Sequence, residues 1–279
     1  NLNDVSCNKV LVSSSIPTVI NELTSKVYVD TQLLLSNINI FSNATAVSSS
    51  VIYDLSASIW AVAGESGDRI NNASISITSG LATLENFYGK SVWSITNGAT
   101  IGNDPPVIIN AVIPKNSTTY TISIAYATFQ YSNTRLFFQQ SSNRTSTHSN
   151  HNIYYTNGYI GTDENTPTGG GINFDIVYGI HTHNNAITIR RNGTSINLYF
   201  NGFLVSSKTV SEVYDGDDVD RIGIGGVLNQ LTPGGSRIGG CAVWDRSLSD
   251  SEVQLLTYDN ITQTSNNDQL NNVDSLVNF

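Results

Sequence analysis

The sequence predicts an all-β protein, a two-sheet antiparallel jelly-roll sandwich with a partly helical, coiled-coil-like N-terminal arm. Three observations predict it. Apolar and polar residues alternate through Ile187, Ile189, Ile196, Leu198 and Phe200, the period of half-buried strands, with turn pairs at Asn192-Gly193 and Asn201-Gly202. Upstream, strand candidates recur at roughly eight- to twelve-residue spacing, as in a sandwich. Before them, from Ile20, the apolar period changes to alternating three- and four-residue steps, which belongs to helices.

Residues 1–19 are polar and irregular apart from Val10, Leu11 and Val12. Ile20, Leu23, Val27, Leu34, Ile38, Phe41, Ile52, Leu55, Ile59 and Val62 then trace an a/d seam, with an extra step near Val27 to Thr31. No Glu–Lys pairs flank it. A slender trimeric stalk and a helical arm packed on the domain both fit. Ser48, Ser49 and Ser50 interrupt the helix, so two helical pieces are expected. Ala63–Asn72 (AGESGDRINN) reads as a linker, because it contains Gly and charge and the heptads stop there. The expected division is therefore an arm at 1–66, a sandwich at 67–258 and a polar tail at 259–279.

Within the sandwich the expected strands are Ser74–Ile77, Ala82–Phe87, Ser91–Ile95, Val107–Val112, Tyr120–Gln130 and Arg135–Gln139. Residues 140–172 carry long polar loops around one strand, Ile153–Ile160, and long loops on a rigid sandwich are where binding usually resides. Arg221–Ile224 and Ile238–Trp244 are the last strands. Ser249 followed by Glu252 is a capping box for a short helix, with Val253 and Leu256 on its apolar face. From Thr262 to Phe279 the chain is Asn-rich and without period.

Composition narrows the function. Only 13% of the 279 residues are charged, the net charge is −9, and no basic cluster exists to neutralise phosphates, which argues against a nucleic-acid partner. No apolar run reaches the roughly 18–20 residues of a membrane span. The chain starts at Asn1 and contains no Met, which reads as a processed product or a piece of a longer one. Its two cysteines, Cys7 and Cys241, lie in different modules; they could form a disulfide, or Cys241 is a buried free thiol on the strand side opposite Ala242. Six glycosylation sequons, at Asn43, Asn72, Asn116, Asn143, Asn192 and Asn260, agree with an extracellular setting.

Three groups of residues could carry chemistry. Tyr154, Tyr155 and Tyr159, with Asn165 and the Gly169–Gly171 run nearby, offer aromatic faces and hydrogen bonds for a sugar. On a single strand Tyr155 and Tyr159 would share a face, and that face is either platform or core. Asp215, Asp217, Asp218 and Asp220 form an acidic loop in which Gly216 permits a tight turn. It reads either as half of a Ca2+ shell or as a solvated turn before Arg221–Ile224. The spacing is not that of an EF-hand, and no cofactor is otherwise implied. His181 and His183 would share a strand face and could ligate a metal, or simply pack near the rim.

The order strand, LYFNG hairpin, strand, GIGG, strand ending in WDRSLS, short helix resembles the concanavalin A-like lectin/glucanase superfamily in its laminin-G or pentraxin-like branch. The resemblance covers roughly residues 180–258 and extends more weakly back to about residue 70. It implies a jelly roll that binds carbohydrate or protein partners far more often than it catalyses. The paired carboxylates that the hydrolase members carry on one strand, spaced E-x-D-x-x-E or similar, do not occur here. Nor does a G-x-S-x-G elbow, and a non-enzyme is expected. By the same resemblance, Trp244 covers the core where the helix begins, and Asp245 and Arg246 brace the turn. A second phrase, IPTVINELTSKVYVDTQ, with Pro17, Asn21, Leu23, Thr24, Lys26, Tyr28, Val29 and Asp30, resembles the punctuation of fibre and surface proteins of tailed phages and large DNA viruses. Together the two resemblances imply a virion surface or fibre protein, a trimer by preference, displaying a lectin-like domain to host glycans or other virion proteins. A capsid- or filament-associated subunit clasping neighbours with its arms, and a secreted microbial adhesin, are the alternatives.

Overall fold

Strand β6 (Thr119–Thr128) shows why this chain folds as stacked sheets. Tyr120, Ile122, Ile124 and Tyr126 alternate with Thr121, Ser123, Ala125 and Ala127. The bulky set enters the core between the two sheets, while Ala125 and Ala127 join a second apolar cluster on the opposite face. The two buried hydroxyls on that second face are satisfied. Ser123 pairs with Thr188 across the strands at 2.7 Å, and Thr121 Oγ1 donates to the Arg246 carbonyl and accepts from Leu248 N. A buried polar side chain is tolerated only on such terms.

A computed structural model of the chain describes residues 51–97, 104–114, 117–128, 134–141, 151–156, 159–162, 172–174, 184–210, 219–227 and 233–262. All lie in one unit, Ser49–Phe279. In chain order the elements are α1 (Val51–Asp54), β1 (Ile59–Val62), β2 (Ile75–Ile77), β3 (Ala82–Phe87), β4 (Lys90–Asn97), β5 (Val107–Ile109) and β6. They continue with β7 (Thr134–Gln140), β8 (Ile153–Thr156), β9 (Tyr159–Thr162), β10 (Ile172–Asn173), β11 (Asn185–Asn192), β12 (Ser195–Phe200) and β13 (Phe203–Thr209). The last are β14 (Arg221–Val227), β15 (Pro233–Trp244), α2 (Asp250–Val253) and α3 (Tyr258–Ile261).

The larger sheet has the order β13-β12-β11-β6-β15-β4-β3, and the smaller β10-β9-β8-β7-β14-β5-β2. The paired strands are antiparallel throughout, so the protein is an all-β, two-sheet sandwich. The inter-sheet core holds Trp93, Tyr120, Ile122, Phe137, Ile189, Leu198, Ile222 and Ile238, all fully buried. The second cluster lies between the larger sheet and the short helices, around Trp60, Tyr199, Trp244, Val253, Leu256 and Ile261. The capping box is present: Ser249 Oγ accepts from Glu252 N, and the Glu252 carboxylate accepts from Ser249 N at 2.7 Å. Cys241 is a free, buried thiol in the inter-sheet core, with Ala242 on the other face, and burial pushes its pKa up to about 12.

Two boundaries move. Ile59 and Val62, placed at the end of the heptad seam, form strand β1, which runs beside β15 with Ile59 opposite Val243 and Val62 opposite Gly240. Their three-residue spacing is incidental. Ile59 and Ala61 face the inter-sheet core while Trp60 and Val62 face the second cluster, so all four are buried, which no coiled-coil seam requires. The following segment is no linker. Asp68 is buried and accepts hydrogen bonds from Ile70, Asn71 and Ala73 N, and Gly67 bridges to Ser74. At the other end, Tyr258 to Ile261 form α3 rather than entering a tail, and Trp60 Nε1 donates to the Ile261 carbonyl at 2.8 Å. Gly240 makes this corner possible, because a Cβ there would lie 2.7 Å from the Ala61 carbonyl oxygen. The helical arm and trimer seam before residue 51 fall outside the described residues.

Candidate binding surface

The expected strand Ile153–Ile160 is two strands. β8 and β9 form a hairpin in which Tyr155 faces Ile160, Tyr154 faces Gly161, and Thr156 faces Tyr159. With this register Tyr159 shares a face with Tyr154 and not with Tyr155. Tyr155 belongs to the inter-sheet core. Tyr154 is only 6% exposed and its ring lies on Gly161, where a Cβ would come 2.3 Å from Cζ. The tyrosine platform is thus divided among core, covered face and rim, and of the three only Tyr159, 41% exposed, is presented. Asn165 lies outside the described residues. Asn157-Gly158, a strong hairpin pair, was the signal for this turn.

Of the acidic loop, Asp215, Asp217 and Asp218 lie outside the described residues, and Asp220 is exposed with its N–H donated to the Gln140 carbonyl. His181 and His183 also lie outside them. Among the described residues no three His, Cys, Asp or Glu side chains converge as a metal would need. Asn72 and Asn192 are exposed, whereas Asn43, Asn116 and Asn143 are not described. Asn260 is engaged: its Nδ2 donates to the Leu255 carbonyl at 2.6 Å, and Thr262 of the same sequon is buried with its hydroxyl on the Tyr258 carbonyl.

Carboxylates that might have served chemistry hold the fold instead. Asp245 accepts from Ser58 at 3.1 Å, and Glu252 accepts from both Arg246 Nη atoms. Arg246 hydrogen bonds and the Ser249 N–H hold the Glu252 pKa down to about 2. Asp250 is lowered first by the Tyr199 hydroxyl and then by Arg190, which lies over the Tyr199 ring at 5.0 Å. Asp104 pairs with Arg221 at 3.0 Å on the smaller sheet.

A corner of the larger sheet stands apart, and sequence reasoning did not single it out. Registers Glu85 opposite Val92 and Phe87 opposite Lys90 put Glu85, Phe87 and Lys90 on the helix-bearing face, and Arg237, opposite Ser94, joins them. Arg237 Nε donates to both Glu85 oxygens at 3.0–3.1 Å, and this contact first, then Ser94, lowers the Glu85 pKa. The guanidinium also lies 4.7 Å from the centre of the Phe87 ring. Phe87 meets Tyr88 edge-to-face at 4.6 Å. Tyr88 is 78% exposed and occupies the first position of the β3–β4 turn with φ +49°, followed by Gly89 at +79°. The pair is that of a type I′ turn, where Asn-Gly is preferred. A tyrosine in the left-handed region costs about 1 kcal/mol. The signal available in the sequence was a Tyr-Gly pair in a hairpin position.

No family model matches the chain, and no curated protein matches it in sequence. Solved structures do resemble it. The binding domain of Paraclostridial Mosquitocidal Protein 1 superposes with TM-score 0.55 at 16% identity, over 71% of this chain and 51% of that one. The binding domain of botulinum neurotoxin DC, solved in complex with rat synaptotagmin II, gives 0.54 at 15% identity over 76% and 53%. A structure of botulinum neurotoxin type C, whose cell entry is dependent upon interaction with two ganglioside molecules, gives 0.53 at 15% over 75% and 52%. These likenesses show a shared β-rich fold. The chain spans about half the length of the solved chains it matches.

Proposed function

We propose that this chain is a non-catalytic binding module of a secreted or surface-displayed protein, and that it engages a glycan or a protein receptor. The observation that carries this reading is a division of labour among side chains. Glu85, Glu252, Asp68, Asp104 and Asp250 are occupied in ion pairs and caps, while Tyr88 and Tyr159 are presented on a surface with little charge. Hydrolysis of a glycosidic bond needs two carboxylates about 5–10 Å apart and poised for proton transfer. Binding needs exposed rings flanked by polar groups. The toxin binding domains that share the fold support the same class of function by analogy.

The finer reading assigns the sandwich to the concanavalin A-like, laminin-G-type jelly rolls and keeps Tyr159 and Asn165 within the contact surface. It makes residues 1–50 a stalk that displays three copies on a virion, so that weak sites gain by avidity. The seam from Ile20 and the phrase at Pro17–Asp30 support it. The test is an array of neutral and acidic glycans probed with the full chain, alongside a polysaccharide hydrolysis panel. Saturable binding to a defined glycan subset without turnover is expected. Turnover of any polysaccharide would overturn the reading, and silence across the array would remove the glycan half of it. Sizing the full chain tests the stalk: a trimer of the 30.1 kDa chain is expected, and a monomer would contradict it.

A further inference from the structure

We propose that the Tyr88 corner of the larger sheet is a binding site for a neutral saccharide, with Tyr88 as its stacking surface and Arg237 as its hydrogen-bond donor. The inference rests on the binding-module reading and adds to it a location and a ligand class.

The backbone of the turn singles out Tyr88. The β12–β13 turn, Asn201-Gly202, has φ +49° and +80°, the same backbone as Tyr88-Gly89. Each turn follows a phenylalanine, Phe200 or Phe87, and closes one paired register. At position 201 the chain uses the residue this backbone prefers, and its side chain is at work: Oδ1 accepts from Ala186 N and Nδ2 donates to Asn185 Oδ1, both at 2.8 Å. At position 88 it uses an aromatic residue that the left-handed region disfavours, and turns most of the ring to solvent. A local rule broken at an exposed position points to a role outside the fold.

The surroundings of the ring suit a ligand. Phe87 props Tyr88 edge-on, and Arg237 braces Phe87, so the ring is held rather than free to swing. Only Nε of Arg237 is used on Glu85. Among the described residues its two Nη groups make no hydrogen bond, which leaves planar donors beside an aromatic face. Aromatic rings stack on the apolar C–H face of a pyranose while flanking donors take its hydroxyls. Charge decides the class of sugar. Arg237 is matched by Glu85 at 3.0 Å, and Lys90 by Asp259 at 3.9 Å, so the corner has no net charge to attract an anionic ligand. A neutral saccharide fits, and a sialylated or sulfated one has no counter-charge left to meet.

The test titrates the full chain, wild type and Tyr88→Asn, with the strongest neutral glycan found on the array, and records Tm for both. Tyr88→Asn is expected to weaken binding by about tenfold or more, as loss of an aromatic anchor does. It is expected to raise Tm by about 2 °C, because Asn suits the turn. Tyr88→Phe keeps the ring and is expected to keep binding, and Phe203→Ser, at a ring that is also exposed, is expected to leave it unchanged. Unaltered binding by Tyr88→Asn, loss of binding with Phe203→Ser alone, or an exclusive preference for acidic glycans would each overturn the site while leaving the binding-module reading intact. A wild-type chain that binds no glycan would instead overturn both the glycan reading and this site.

Discussion

The hairpins at Tyr88-Gly89 and Asn201-Gly202 share a backbone and differ in almost everything else. The second is locked down: its Asn bonds the neighbouring strand, and its Gly sits against α2, where a Cβ would meet Gln254 Cα at 2.7 Å. In the first, a Cβ on Gly89 would meet nothing within 4 Å. One sequence therefore solves the same turn twice, once for stability and once with an exposed ring. The difference teaches that residue identity at a fixed backbone separates folding demands from functional ones.

The contrast can be broken in four ways. Gly202→Ala combines a left-handed Cβ with a backbone clash and should cost about 3 kcal/mol in denaturant unfolding, whereas Gly89→Ala should cost only about 1 kcal/mol. Equal losses would mean that α2 does not hold the second hairpin. Asn201→Ala removes two hydrogen bonds and puts Ala in the left-handed region, a loss of about 2 kcal/mol by the same measurement.

The third test concerns α2, against which that hairpin packs. Ser249→Ala should cost about 1 kcal/mol through loss of the cap. Glu252 has its carboxyl lowered from 4.5 to about 2. A carboxylate lowered by folding stabilises above its unfolded pKa and loses that contribution as pH falls through the folded one. Stability should therefore decline from about pH 4.5 towards pH 2, and Glu252→Gln should flatten that part of the acid-unfolding curve. The smallest effect is the reverse of the usual sign: Tyr88→Asn should gain about 0.5 kcal/mol.

Much of the fold was legible because burial follows the strand period. β6, β11, β12 and the second half of β15 each alternate between the two apolar layers, and Ser249/Glu252 and Asn201-Gly202 announce the cap and the turn. Strand β1 was hidden because Ile-Trp-Ala-Val is buried on both faces and so has no alternation to read. The same residues happened to extend a helical spacing. β8 and β9 were merged because their apolar residues run on through Asn157-Gly158, and that merger put Tyr159 on the wrong face. The corner at Tyr88 was not legible from patterning. Arg237 is 152 positions from Glu85, and only the pairing of β15 with β4 brings them together. Even so, a tyrosine before a hairpin glycine was visible all along.

Where a ligand touches the protein decides whether the Tyr88 corner is its site. Residue-resolved NMR shift mapping of the full chain, titrated with its best neutral glycan, tests this directly. Saturable shifts centred on Phe87, Tyr88, Lys90 and Arg237 are predicted. Shifts centred on Tyr159, or on the exposed Phe203–Val205 edge, with the Tyr88 corner unmoved, would contradict it.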